Sequence, residues 1–164
     1  MEQVVVLHGP GAGTMDKLAA HQAPGFLHEA FSVVLLDGDR TLLQRRAASK
    51  YHFPGLWTNA CCSHPVGDVV TDAQERLRFE VGVDASLEVV GSFTYRAEDP
   101  VSGLVEHEHD TVLVGQFSGT GSPNPDEVSE LRWVALADLR AELSAHPERF
   151  TPWLAGVLDC AQLS

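Results

Sequence analysis

The stretch FSVVLLDGDRTLLQRR, residues 31–46, carries the strongest fold signal in the chain. Its two apolar runs flank Asp37-Gly38, and a turn dipeptide between apolar runs is typical of a β-hairpin. Further strands are predicted for residues 87–95 and 104–117, where β-branched and aromatic residues are frequent. The middle of the chain is therefore predicted to form a sheet.

The clearest helix is predicted between these strands, over residues 71–82 (TDAQERLRFEVG). Thr71 and Gln74 make a capping-box pattern, and Gly82 suits the C-terminal stop. The apolar residues fall on one face of such a helix, as a helix packed on a sheet requires. They are Ala73, Leu77 and Val81.

Two more helices are predicted near the C-terminus. One covers residues 136–143, and the other begins at Thr151-Pro152, with Thr as N-cap and Pro at the first helical position. The Gly/Ser/Pro-rich stretch 118–127 is predicted to be a loop rather than a domain linker. These elements predict the α+β class, an α/β/α layered arrangement with a mixed sheet. Without repeats, the 164 residues are expected to form one domain, 1–164.

The composition excludes several classes of partner. A net charge of −12 argues against nucleic acids and anionic membranes, because neither offers such a chain a favourable long-range field. No apolar run approaches the roughly 20 residues that span a bilayer. The N-terminal MEQVVVLHGPGAG lacks the basic and apolar regions of a signal peptide. We expect a cytoplasmic protein and, without a signal for assembly, a monomer.

The three cysteines do not make a disulfide framework, because their number is odd and adjacent cysteines rarely pair. The absence of a CxxC motif argues against a zinc–thiolate site. If residues 57–62 are extended, Cys62 and His64 share one face, and Cys61 packs on the other as a small hydrophobe. The two thiols of TNACCSHP are therefore predicted to lie on opposite faces of the chain.

Residues 106–109, EHEH, alternate carboxylates with imidazoles. On a strand, Glu106 and Glu108 point to one face, ~7 Å apart, and the two histidines point to the other. The two carboxylates can share a divalent cation such as Mg²⁺, Mn²⁺ or Zn²⁺. The alternative is the solvated face of an edge strand.

Basic residues in QRRAASK, 44–50, stand out in an acidic chain. Arg46 and Lys50 suit phosphate oxygens, although a solvated strand end is the alternative. On the 71–82 helix, Arg76 and Glu80 are four residues apart. They can form a surface pair or direct a cation and a carboxylate to one ligand.

Taken in order along the chain, these pieces form a specific series. It runs from about residue 3 to 160: TMDKLAAH, FLHEAF, QRRAASK, FPGLWTNACCSHP, RLRFEVGV, FTYRAEDP, VEHEHD, PNPDEV, LRWVALADL and RFTPW. The series resembles type I isopentenyl-diphosphate isomerase, a Nudix-fold family. The resemblance implies a Nudix-like layered domain that interconverts isopentenyl and dimethylallyl diphosphate by adding one proton and removing another.

The resemblance also implies roles for individual residues. The catalytic residues are Cys62, Glu108 and Tyr95. The substrate-binding residues are Lys17, Arg46, Lys50, Arg76 and Trp153. One divalent metal, Mn²⁺, Zn²⁺ or Mg²⁺, is held by His21, His28, His64, Glu106 and Glu108. A Mg²⁺ that bridges the diphosphate is bound with the help of Glu80. The implied partner is a small prenyl diphosphate.

The chain departs from the family pattern after the cysteine pair. The segment between Cys62 and Glu80 is about two residues shorter than is usual, which puts the Mg²⁺ position in question and can reshape the pocket for another prenyl diphosphate. A Nudix-type hydrolase that cleaves a diphosphate is the second alternative. Such an enzyme needs several glutamates on the 71–82 helix, and Gln74 and Phe79 fit that pattern poorly.

Overall fold

The computed structural model describes residues 3–6, 13–22 and 25–163, so the predicted domain ends, residues 1 and 164, lie outside the described part. The strands in this part are β1 (Gln3–Val6), β2 (Gly13–Asp16), β3 (His28–Asp37), β4 (Arg40–Arg46), β5 (Trp57–Thr58), β6 (Cys61–Ser63), β7 (Leu87–Glu98), β8 (Val105–Gln116) and β9 (Val128–Ala135). The helices are α1 (Lys17–His21), α2 (Val69–Val81), α3 (Leu136–Ala145) and α4 (Leu154–Cys160), with a 3₁₀ turn at Pro147–Arg149. Among the described helices, none combines the length and apolarity needed to cross a bilayer.

The predicted hairpin is formed by β3 and β4. Asp37 pairs with Arg40, so the two-residue loop is Gly38-Asp39, one residue beyond the predicted Asp37-Gly38 centre. Gly38 has a φ of 61°, a conformation that glycine adopts without strain. Along the edge that they share in the hairpin, β3 pairs further on with β6 and β4 with β5, whereas their other edges pair with β8 and β9 respectively.

The sheet is mixed, as the sequence predicts. β3 runs parallel to β8 over nine residue pairs, from His28–Glu108 to Leu36–Gln116. β7 is antiparallel to β8, and β6 is antiparallel to β3. β8 therefore lies between two strands from Glu108 onwards, and Glu106 and Glu108 are only 2% and 6% exposed. The alternative of a solvated edge strand for Glu106 and Glu108 is wrong.

Side chains of the central strands alternate between two helical layers. On one face, Phe31 and Val33 of β3 join Cys61 of β6 in a core that Leu77 of α2 completes. On the opposite face, Val34 of β3 packs in a core with residues of α4. Helices thus cover both faces, and the predicted α/β/α layered architecture is confirmed.

Helix α2 begins two residues before the predicted start. Asp68, not Thr71, is the N-cap: its carboxylate accepts hydrogen bonds from the Thr71 backbone N–H at 3.0 Å and from the Thr71 hydroxyl at 2.8 Å. Aspartate is at least as good an N-cap as threonine, so the earlier residue takes the position. The predicted stop at Gly82 is confirmed, since this residue has a φ of 66° and a left-handed conformation.

The last helix begins later than predicted, at Leu154 instead of after Thr151. Trp153 is the N-cap and makes no side-chain capping bond, and the Thr151 hydroxyl instead donates to the hydroxyl of Thr58 at 2.8 Å. Strand β9 was not predicted at all. Its burial follows no strict alternation, and it is held by antiparallel pairing with β4, which single-strand patterns do not reveal.

Two glycines with the same left-handed conformation provide a matched test of the α2 C-terminus. A Cβ at Gly82 would lie 2.8 Å from the Ser122 carbonyl oxygen, whereas no described atom lies within 4 Å of a Cβ at Gly38. Gly38→Ala is expected to cost about 1–2 kcal/mol from its φ alone. Gly82→Ala should cost at least about 1 kcal/mol more, because Ser122 must move. Urea unfolding measures both; equal losses would contradict the predicted clash.

Candidate active site

Five metal-ligating side chains converge at one end of the parallel β3–β8 pair. One potential ligand atom from each lies within 4.8 Å of all the others. They are His21, His28, His64, Glu106 and Glu108. His28 opens β3 directly opposite Glu108 of β8, and Glu106 lies two residues earlier on the same face. The remaining two come from the end of α1 and from the residue after β6.

The imidazoles face the carboxylates through their Nε2 atoms. Glu108 Oε2 lies 3.1 Å from His28 Nε2 and 2.9 Å from His64 Nε2. Glu106 Oε2 lies 3.1 Å from His21 Nε2. Three nitrogens and two carboxylates therefore surround one small volume.

The far sides of two rings are held by the main chain. His21 Nδ1 lies 2.7 Å from the Lys17 carbonyl, and His28 Nδ1 lies 2.8 Å from the Phe26 carbonyl. Because a carbonyl only accepts, both Nδ1 atoms carry the proton. Burial lowers the His21 pKa, but the Glu106 carboxylate outweighs burial and raises it above the usual value, so Nε2 carries a second proton when it donates to Glu106. A shared cation can take the place of this proton. The donor set fits a divalent metal.

The electrostatics of the cluster agree with this. Burial favours the protonated carboxylic acids, but hydrogen bonds from His21 and His52 hold the Glu106 pKa well below its usual range. For Glu108, burial and the charge of Glu106 raise the pKa, and the hydrogen bonds of His28 and His64 outweigh them. Burial lowers the His64 pKa to about 4. At neutral pH both carboxylates are ionised and His64 is neutral, as metal binding requires.

The cluster forms one wall of a cavity that also contains the predicted substrate-binding residues. The lining residues are Lys17, Arg46, Lys50, His52, Cys62, Ser63, His64, Arg76, Glu106, Glu108 and Trp153. Four of them are cations from α1, β4, the following loop and α2. In a chain with a net charge of −12, this concentration of positive charge is typical of an anion site.

Two of the cations share one carboxylate. Glu127 Oε2 accepts from Lys50 Nζ at 2.5 Å and lies 3.3 Å from Arg76 Nη2. Burial lowers the Lys50 pKa, and Glu127 opposes this shift. Arg46 is oriented by the main chain: its Nε and Nη2 atoms donate to the Phe53 and His52 carbonyls, both at 3.1 Å.

Glu80 lies behind Arg76 and is almost fully buried. Its Oε2 accepts from Arg76 Nε at 2.5 Å, and its Oε1 accepts from Gln44 Nε2 at 2.9 Å. The carboxylate therefore fixes Arg76 at the cavity edge. It is not among the five side chains whose ligand atoms converge.

The two adjacent thiols have different surroundings, so the predicted alternation is confirmed. Cys61 is fully buried in the core beneath α2. Cys62 lines the cavity, with Sγ 3.2 Å from Asn59 Oδ1 and 3.5 Å from Ser32 Oγ. Ser32 donates its proton to Asp110 Oδ2 at 2.7 Å, so both neighbours offer lone pairs to the Cys62 thiol. Burial, with the nearby Asp110, raises the Cys62 pKa to about 12.

Tyr95 and Trp153 close the apolar side. The Tyr95 hydroxyl donates to Glu108 Oε1, and burial raises its pKa well above the usual value, so the hydroxyl keeps its proton at neutral pH. The Tyr95 and Trp153 ring centroids are 5.9 Å apart. Trp153 is buried against Phe53 and lines the same cavity as Cys62.

Sequence reasoning missed several residues that contact these groups. Asp110 continues the alternation of Glu106 and Glu108 along β8, a signal that could have identified it. Ser32 carries no sequence signal, because only the pairing of β6 with β3 brings it to Cys62. Asn59 lies three residues before Cys62, within the stretch TNACCSHP. His52, which contacts Glu106, was also missed.

Comparison with known proteins agrees with this geometry. The NUDIX domain family matches residues 26–154. An isopentenyl-diphosphate Delta-isomerase of Nocardia farcinica is 51% identical over 93% of this chain and 89% of its own length. Isopentenyl-diphosphate Delta-isomerase 2 of Aromatoleum aromaticum is 45% identical over 97% of this chain and 86% of its own.

Solved structures agree on the fold. A Deinococcus radiodurans protein superposes with a TM-score of 0.74 at 19% identity, over 97% of this chain and 99% of that one. A MutT protein of Methanosarcina mazei gives a TM-score of 0.66 at 13% identity, over 83% and 93%. At such identities the likeness concerns the fold alone.

The ion pairs of Glu127 with Lys50 and Arg76 contribute to the free energy of unfolding in a way that depends on pH. Hydrogen bonding and the charges of Lys50 and Arg76 outweigh burial and hold its pKa below the usual 4.5. The contribution is therefore present above pH 4.5 and lost as pH falls through the folded-state pKa. Glu127→Gln should lower the free energy of unfolding at pH 7 by about 1 kcal/mol, and the difference from wild type should vanish towards pH 3.

The matched control is Glu130→Gln, which removes a more exposed pair with Arg45 at 3.4 Å. Its effect should be below about 0.5 kcal/mol at any pH. Urea unfolding between pH 3 and 7 measures both variants. A Glu127 effect that is constant over this range contradicts the assignment.

Proposed function

The chain belongs to the isopentenyl-diphosphate Delta-isomerase family of NUDIX-domain proteins, and from this membership we propose that it interconverts isopentenyl diphosphate and dimethylallyl diphosphate. One observation carries the proposal for the site. A single cavity contains four cations suited to a diphosphate, the Cys62 thiol and the Glu108 carboxylate with its tyrosine partner.

The reaction moves a carbon–carbon double bond by one position. One proton adds to the terminal alkene carbon, and another leaves the carbon on the other side of the branched centre, so substrate and product have the same composition. Protonation of an unactivated alkene gives a tertiary carbocation, which water would trap. The cavity must therefore exclude water while both protons move.

We propose that Cys62 and the Glu108–Tyr95 pair exchange these two protons. Tyr95 can pass a proton to or from Glu108 along their hydrogen bond. The reaction is reversible, so each group donates in one direction and accepts in the other. The π face of Trp153 would stabilise the cation without attacking it.

The diphosphate is proposed to bind the cationic wall. Arg46 and Arg76 offer planar forks to phosphate oxygens, and Lys17 and Lys50 act as point charges. Binding energy from this remote group would hold the apolar end in the dry part of the cavity. Glu80 is proposed to help bind a Mg²⁺ that bridges the diphosphate, although it now accepts from Arg76 and Gln44.

We propose one divalent metal at the site of three histidines and two glutamates. Imidazole and carboxylate ligands together suit Mn²⁺, Zn²⁺ or Mg²⁺. When bound, the metal would fix the Glu108 carboxylate next to Tyr95. We further propose one catalytic domain over 1–164, a monomeric state and a cytoplasmic location, which stay predictions.

The activity is tested by proton NMR on purified protein in deuterated water with Mg²⁺, Mn²⁺ and isopentenyl diphosphate. Dimethylallyl diphosphate that contains deuterium is the expected product. Release of a monophosphate or of inorganic diphosphate would instead indicate a hydrolase. Unchanged substrate despite binding would contradict the isomerase and favour another prenyl diphosphate.

The adjacent thiols allow a matched test of the proton-transfer residue. Cys62→Ala should lower kcat by at least about 10²-fold, because it removes an acid–base group from the cavity. Cys61→Ala, on the opposite face of the same strand, should retain most activity and lose only stability. The turnover assay above measures both, and equal losses of kcat would remove Cys62 from this role.

Two histidine substitutions, one inside and one outside the proposed ligand set, provide a matched test of the metal site. His64→Ala removes a proposed ligand and should lower the metal content of purified protein measured by elemental analysis. His109→Ala changes a histidine that lies on the other face of β8 and contacts Glu29 at 3.3 Å, so metal content should stay at the wild-type level. Full metal content after His64→Ala would exclude His64 from the ligand set.

A further inference from the structure

A fourth histidine adjoins the metal cluster from outside. His52 lies in the loop between β4 and β5 and is 5% exposed. Its Nε2 atom is 2.5 Å from Glu106 Oε1, whereas His21 Nε2 is 3.1 Å from the other oxygen, Oε2. The Glu106 carboxylate is thus held between two imidazoles, one on each oxygen.

The contact has a defined direction. At 2.5 Å the two atoms must share a proton, and a carboxylate that binds a metal carries none, so His52 Nε2 donates to Oε1. The Arg46 guanidinium lies 3.4 Å from the same Nε2 atom. A cation at that distance leaves no favourable position for a divalent ion on this side of Glu106. The arrangement therefore suits an orienting hydrogen bond rather than a sixth ligand.

The loop that carries His52 is held firmly in place. The next residue, Phe53, has a φ of 47°, unusual for a non-glycine residue, and its N–H donates to Asp99 Oδ2 at 3.1 Å. The His52 and Phe53 carbonyls both accept from Arg46. A ring on so constrained a backbone can fix the orientation of the carboxylate that it contacts.

We propose that His52 is a positioning residue that donates from Nε2 to Glu106 Oε1 and so directs Oε2 of this carboxylate towards the metal. Through its main chain, the same residue orients Arg46 in the cationic wall. The inference rests on the metal site of the proposed function. In this inference the loop between β4 and β5 connects the metal cluster with the cationic wall of the cavity.

Two amide substitutions test the position of the N–H group. The side-chain amide of glutamine reaches the place of a histidine Nε2 atom, whereas that of asparagine reaches only the place of Nδ1. His52→Gln should therefore keep the bond to Glu106, and His52→Asn should lose it. Loss of such an orienting partner typically weakens metal binding about 10- to 100-fold.

The probe is Zn²⁺ alone, because it binds nitrogen and oxygen sites more tightly than Mn²⁺ does. Metal-stripped proteins compete with a chromophoric chelator for Zn²⁺ without prenyl diphosphate. We expect His52→Asn to bind about 10- to 100-fold more weakly than wild type, and His52→Gln to stay within about threefold of wild type. The affinity of His52→Asn for inorganic diphosphate with Mg²⁺ should be unchanged, because the carbonyl that orients Arg46 belongs to the main chain.

The outcomes separate this inference from the proposed function. If wild type binds no Zn²⁺, or His28→Ala binds it as wild type does, the proposed metal site is wrong. If the site binds Zn²⁺ and His52→Asn matches wild type, His52 has no positioning role. Equal weakening of the Asn and Gln variants also overturns the inference, since the placement of the N–H would not matter. If His52→Asn does not fold, His52→Met, of similar size without a donor, takes its place.

Discussion

Two ionised carboxylates on one face of an interior strand set the main physical constraint in this molecule. Glu106 and Glu108 are buried, and their charges repel each other at a separation that water does not screen. Five neighbouring side chains reduce this cost. Imidazoles approach three of the four carboxylate oxygens, and the Tyr95 hydroxyl donates to the fourth. A cluster of this kind is stable only with bound protons or a bound cation. The Nδ1 hydrogen bonds of His21 and His28 to the main chain direct both Nε2 atoms to this role.

The sheet separates this polar cluster from the apolar core. Along β3, β6 and β8, one set of alternate side chains faces α2 and the other faces the cavity and α4. Cys61 and Cys62 show this alternation in adjacent residues of one strand, because Cys61 packs in the core and Cys62 lines the cavity. The cavity therefore combines charged side chains with the aromatic ring of Trp153, which suits a ligand with a charged head and a hydrocarbon tail.

Patterns with a period of two or with local capping residues predicted much of the fold. The β3–β4 hairpin, β7, β8, α2 and the division of the two thiols all follow from short stretches. The predictions that were wrong involve competition between neighbouring groups. Asp68 displaces Thr71 as the cap of α2, and Thr151 bonds to Thr58 instead of capping α4. Strand β9 and His52 depend on partners distant in sequence, so no local pattern could reveal them. The convergence of the five histidines and glutamates was expected only from the family resemblance.

The parallel pairing of β3 with β8 brings together residues that the ribosome synthesises at different times. His21 and Glu106, which contact each other in the cluster, are separated by 85 residues. During synthesis at about 5–20 residues per second, the early elements leave the ribosome seconds before β8 does. The contacts of His21 and His28 with the two carboxylates can form only after β8 has been synthesised. The nascent chain consequently lacks the complete cluster of histidines and glutamates until most of it has been made.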